Sequence, residues 1–159
     1  MTMWMVRAGV NSCYVDTFVK EGVVALGWGV IGSIEKMENR DQIIPLIREA
    51  FPKKKLHWVK LSSSQLFKFL RLLKTGDRIM TSDTPNRIYH VGTIVSEYEF
   101  NPNLIKEAPN VRRVKWEPIT VEKDRLTMTT RNKLGTMTTL FRVMDSAEEE
   151  IEEYLKNKQ

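Results

Sequence analysis

The stretch that most constrains this chain is residues 76–100, GDRIMTSDTPNRIYHVGTIVSEYEF. A Gly-Asp turn leads into Arg78-Ile79-Met80-Thr81-Ser82, which alternates as a strand does. Asp83-Thr84-Pro85-Asn86 interrupts it with the short polar side chains and proline that suit a turn. Ile88-Tyr89-His90-Val91-Gly92-Thr93-Ile94-Val95 follows as a second run rich in β-branched and aromatic residues. Two such runs around a four-residue turn predict an antiparallel hairpin. Gly92 inside the second run marks a bulge or tight bend, as a small barrel needs at its corners.

Elements on both sides can wrap around this hairpin. Trp4-Met5-Val6-Arg7 reads as a central strand, and Val23-Val24-Ala25-Leu26 as a continuous apolar one. Between them Ser12 is placed to cap a short helix that Gly22 ends. Asn39 or Asp41 opens a second helix. Leu56 to Leu61 reads as extended, and Ser62 with Gln65 as the capping box of an apolar helix closed by Gly76. Residues 101–110 read as a loop. Val111-Arg112-Arg113-Val114-Lys115-Trp116 reads as a strand alternating apolar and basic residues. A short helix over 127–134 stops at Gly135, residues 136–143 form the last strand, and Ser146 with Glu149 caps a final helix. Five or six strands with three or four helices predict an α+β fold on a small, strongly bent β-barrel.

A chain of 159 residues suits one domain with a core of its own. The single cysteine, Cys13, excludes an internal disulfide and, with no signal-like start, predicts a cytoplasmic protein. No stretch approaches the roughly 18 apolar residues of a membrane span. The net charge of +5 understates the basic character of the body, because residues 148–153 hold five of the twenty acidic groups. Lys53-Lys54-Lys55, Arg112-Arg113 and residues 123–133 concentrate the positive charge. Each is either a solvated face or a phosphate-binding one.

Enzymatic constellations are missing. His57, His90 and Cys13 fall into no metal-ligand spacing, and no phosphate-binding glycine loop is present. No cofactor and no metal is therefore expected. Aromatic residues near strand ends are more informative: Trp28, Tyr89, Tyr98, Phe100 and Trp116. An aromatic face stacks a nucleobase for about 1–3 kcal/mol, while lysine and arginine neutralise phosphates. Trp4 and Trp116 read as core. Trp28, between Gly27 and Gly29, reads equally as core or as a pocket wall.

In their order and spacing, Trp4-Met5-Val6-Arg7, Val24-Ala25-Leu26-Gly27-Trp28, Thr75-Gly76-Asp77-Arg78, Tyr89-His90-Val91-Gly92-Thr93-Ile94 and Val111-Arg112-Arg113-Val114-Lys115-Trp116 resemble the EVE-like branch of the PUA-like superfamily. The likeness is greatest to the N-terminal target-recognition modules of McrBC and Mrr-type modification-dependent restriction systems. It extends more distantly to YTH domains. The resemblance implies a bent barrel whose pocket accepts one modified base. Trp28 matches the cage tryptophan, and Gly29 would offer backbone groups to the base edge. Tyr98 or Phe100 would form a second wall. Asp145 matches an acidic residue beyond the last strand, and Asn11 is the nearest counterpart of the first-loop asparagines.

The expectation is a non-enzymatic module, residues 1–145, that flips and reads a modified base, N6-methyladenine in DNA being the first choice. Arg7, Lys53, Lys54, Lys55, Arg112, Arg113 and Lys115 would contact the backbone. Residues 146–159 would form a helix that starts a linker to motor or nuclease partners of a restriction system. An RNA-binding PUA-like module and a protein-interaction domain are the alternatives.

Overall fold

A computed structural model describes residues 1–158 of the chain. The hairpin stands at the middle of its sheet. Strands β1 (Met3–Val6), β2 (Val23–Leu26), β3 (Arg78–Asp83), β4 (Ile88–Ile94), β6 (Asn110–Trp116) and β8 (Leu140–Val143) run in the order β2-β6-β4-β3-β1-β8. Two-residue strands β5 (Glu99–Phe100) and β7 (Val121–Glu122) pair with β6 and β4. The β3–β4 pairing is antiparallel and unbroken from Arg78↔Thr93 to Asp83↔Ile88. β1 pairs parallel to β3 and antiparallel to β8. The fold is α+β, with a sheet curled into a half-barrel and five α-helices among the described residues.

Gly92 sets the bend, although not by a bulge in its own strand. A Cβ there would lie 2.6 Å from the Lys115 carbonyl oxygen, so only glycine lets β6 cross so closely. The extra residues sit on the partner strand. From Gly92↔Trp116, continuous register would pair Tyr89 with residue 119, yet Tyr89 pairs with Val121. Two added residues between β6 and β7 thus increase the local curl.

The helices close the two faces of the sheet. α1 (Val15–Glu21) ends at left-handed Gly22, and α2 (Arg40–Ala50) starts at Asn39, whose side chain accepts from Gln42 N. α3 (Leu56–Phe67) continues through a π-helical turn, Lys68–Leu72. α4 (Met128–Leu134) is capped by Thr127, and α5 spans Asp145–Lys158. On one face Val6, Phe18, Leu26, Ile43, Ile47, Leu66, Phe69 and Ile79 form the main core. On the other, Met3, Met5, Met80, Tyr89 and Val91 meet Leu126 and Leu134, with Ala147, Ile151 and Leu155 of α5. α5 is therefore part of the same packed unit as residues 1–145.

Several local expectations need correction. Ser146 lies inside α5 rather than capping it, and Gly76 falls after the helical turn that continues α3 has already ended at Leu72. The stretch expected to be extended, Leu56 to Leu61, is the first half of α3, because Val59 continues the apolar stripe of Leu66. Ser62 and Gln65 consequently lie buried inside that helix, where Gln65 Oε1 accepts from Leu140 N at 2.9 Å. Ser12 does not cap α1; its Oγ donates to the Ser82 carbonyl at 2.6 Å, tying the first loop to the hairpin.

Candidate nucleic-acid interface

Trp28 sits just past the end of β2 with φ 57° and ψ 29°. Left-handed backbone is an outlier for so bulky a residue and persists only where its surroundings enforce it. Those surroundings are visible. Asn110 Nδ2 donates to Gly27 O at 2.6 Å, and Gly29 lies so close to Pro109 that a Cβ would fall 2.7 Å from its ring. The half-buried indole packs partly on the main core and leaves the remainder facing a cleft of about 190 Å³.

The opposite part of that cleft comes from the loop between β1 and α1. Gly9 has φ 73° and ψ −174°, a region essentially reserved for glycine. A Cβ at Gly9 would lie 2.7 Å from the Tyr14 ring, so the loop folds directly against Tyr14. Asn11 and Ser12 also have positive φ. Tyr14 and Trp28 thus line one concavity, floored by Ala25 and Ala108.

Two charged groups complete it, Arg7 and Glu107. Arg7 Nε donates to the Thr136 carbonyl at 2.9 Å, which fixes the guanidinium against the loop before β8. Burial pushes the Tyr14 phenol above its usual range, with smaller contributions from Cys13 and Glu107. Exposed apolar side chains stand on three loops that contribute to the cleft: Val10 at 79% exposure, Val30 at 71% and Met137 at 90%. The arrangement offers aromatic surface, one carboxylate acceptor and one guanidinium donor. That set fits a planar ring bearing an amino group, next to a negative charge.

Of the residues expected at the site, Trp28 and Arg7 line the cleft, while Gly29 supports it from behind. Tyr98 is a correction. Its ring is buried and its hydroxyl engaged by Asn110 Oδ1 and Ile34 N, so Tyr14 supplies the second aromatic surface. Phe100 on β5, Asn11 on the first loop and Asp145 at the start of α5 do not line the cleft.

Arg112 is the second correction. It is fully buried, and its guanidinium donates to the carbonyls of Phe69, Leu73 and Ser96 rather than to any surface partner. It satisfies carbonyls at the end of the π-helical turn, where a cation also suits the helix dipole. Arg113 pairs with Glu99 at 2.6 Å. Lys115 is exposed on β6, away from the cleft lining. Lys54 lines a separate small hollow with Arg48 and Phe51 and lies 5.1 Å from the Trp58 ring centroid. Lys53 and Lys55 are its exposed neighbours in that loop. The lysine run and the cleft are thus not brought together.

A larger, shallow groove of about 960 Å³ follows α5. Its charged lining is mostly Glu117, Glu149, Glu152 and Glu153, and its Arg78 is already paired with Glu117 and Glu152. Carboxylates in that number repel phosphate. Among the described residues no group of three His, Cys, Asp or Glu side chains is placed to hold a metal. No described helix is long and apolar enough to cross a membrane.

Fold and site together define a half-barrel α+β domain with an aromatic cleft beside its β2 edge. A family model described as a domain of unknown function, DUF8426, matches residues 4–144, and the chain belongs to that family. No curated protein and no solved structure matches it.

Proposed function

We propose that this protein is a nucleic-acid-binding module that accepts a single flipped, modified base in the cleft between Trp28 and Tyr14. The observation that carries the reading is Trp28 itself: an indole held in left-handed backbone, half-buried, with its remaining surface turned to a concavity shared with a second aromatic ring. Positive-φ residues gather on both loops of that cleft, at Asn11, Ser12 and Trp28. Such strain concentrates where a ligand is clamped.

Flipping a base from a duplex costs a few kcal/mol of stacking and pairing. Stacking on Trp28 and Tyr14 offsets that cost by about 1–3 kcal/mol per contact. Glu107 accepts from an amino group on the base edge, as carboxylates do from exocyclic amines. N6-methyladenine retains one such N–H and adds a methyl group whose burial contributes on the order of 1 kcal/mol. Val10 and Met137 stand where they can enter the vacated step of the stack, in the way apolar wedges do. The curled sheet and this placement of the tryptophan support the EVE-like reading, and with it a role in selecting modified DNA for a restriction system.

A duplex carrying 2-aminopurine next to an N6-methyladenine tests the flipping step. Its fluorescence should change on binding the wild-type protein and change much less with Glu107→Leu. Binding without any change in that signal would remove flipping from the mechanism.

A further inference from the structure

The cleft explains where a base would go but leaves its phosphates without a partner, since the expected basic residues mostly lie elsewhere. A second group of cations does adjoin it. Thr81 Oγ1 donates to Val6 O at 2.7 Å, so Arg7 follows directly alongside the β3 strand, whose Ser82 pairs with Tyr89 of β4. Met5, Met80 and Tyr89 all face the second core, and Arg7, the residue after β1, donates to the Thr136 carbonyl just beyond α4. Leu134 anchors α4 over the same core, bringing Arg131 of that helix to the same end of the sheet. The charges register on one another there: burial raises the Tyr89 phenol, while Arg7, Arg87 and Arg131 pull it back.

The charge at this place is unbalanced. Arg87 pairs with Asp124, and the same carboxylate also feels Arg131 and Lys123. Three cations thus share one carboxylate, while Arg7 shares the cleft with Glu107. Arg7 has only a backbone carbonyl as partner, and the Arg131 Nε is buried with no hydrogen-bond acceptor. A buried guanidinium N–H without an acceptor is costly, and a bound anion would supply that acceptor.

We infer that Arg7, Arg87, Lys123 and Arg131 form a phosphodiester-binding site. Arg7 joins it to the Trp28–Tyr14 cleft, so it holds the backbone beside the flipped nucleotide. Planar guanidiniums suit phosphate oxygens bidentately. The inference rests on the nucleic-acid reading of the cleft for its ligand, although the anion site itself follows from the charges alone.

Duplex affinity measured across salt concentrations tests it. Arg131→Gln should lower the slope of log affinity against log salt by about 0.9, the value of one phosphate contact, and weaken modified and unmodified duplexes alike. Lys123→Gln should act in the same direction, and Asp124→Asn should tighten both duplexes. Unchanged slopes in both glutamine variants would overturn the site. A titration with inorganic pyrophosphate, followed by the arginine Nε–Hε NMR signals, separates the two claims. Perturbation confined to Arg7, Arg87 and Arg131 in a protein that binds no duplex would keep the anion site and defeat the base-reading function. No perturbation and no duplex binding would overturn both.

Discussion

Tyr98 Oη donates to Asn110 Oδ1 at 2.5 Å, and the Asn110 amide in turn donates to Gly27 O at 2.6 Å. A buried relay therefore runs from a tyrosine outside the cleft to the turn that carries Trp28. Tyr98→Phe leaves the Asn110 oxygen buried without that donor, at a cost of about 1–3 kcal/mol. Chemical denaturation should show this loss. Base selectivity should fall as well, because the Trp28 turn loses its brace; full selectivity in the variant would show that the turn holds itself.

Gly9→Ala tests the other loop. The new Cβ would collide with Cys13 and the Tyr14 ring and would occupy a backbone region closed to alanine. The expected destabilisation is about 1–3 kcal/mol, accompanied by weaker binding of the modified duplex. Wild-type stability and affinity together would contradict the geometry described for this loop.

Arg112→Met should be among the most damaging single changes in the chain. Three carbonyl acceptors, those of Phe69, Leu73 and Ser96, lose their donor inside the protein. A loss of about 3 kcal/mol or more is expected in denaturant unfolding. Protein that remains folded should bind duplex as wild type does. A specific loss of affinity at full stability would return Arg112 to the binding face.

His90 supplies the pH dependence. Burial holds its imidazole below the ordinary value, with Asp83 and Asp16 only partly opposing. The unfolded chain therefore takes up the proton first as pH falls. Stability should decline as pH drops through about 6.5 and level off below the folded-state value. His90→Phe, which keeps an aromatic ring near Trp116, should flatten the curve between pH about 7.5 and about 5.5. An unchanged slope would assign that titration to another group.

The hairpin, the strands flanking it and the caps at Asn39 and Gly22 were legible in the sequence because each depends on local pattern. α3 was not. Ser62-Ser63-Ser64 carries the chemistry of a helix start, and only tertiary burial makes those residues helix interior. The two-residue strands β5 and β7 are too short to carry a period. At the site, Trp28 was legible through its flanking glycines. Tyr14 was hidden because it reads as one more apolar residue of α1, and Glu107 because its loop has no pattern. Arg112 misled because strand alternation gives a basic residue the same signal whether its side faces water or the carbonyls of a helix end.

The most direct test of the base-reading account is fluorescence anisotropy with matched duplexes, unmodified, N6-methyladenine and 5-methylcytosine, together with an RNA counterpart, for wild type and Trp28→Ala. The account predicts that wild type prefers one modified duplex, and that Trp28→Ala loses this preference while keeping the salt-sensitive binding common to all. Equal binding of every duplex by wild type, or undiminished preference in Trp28→Ala, would contradict it.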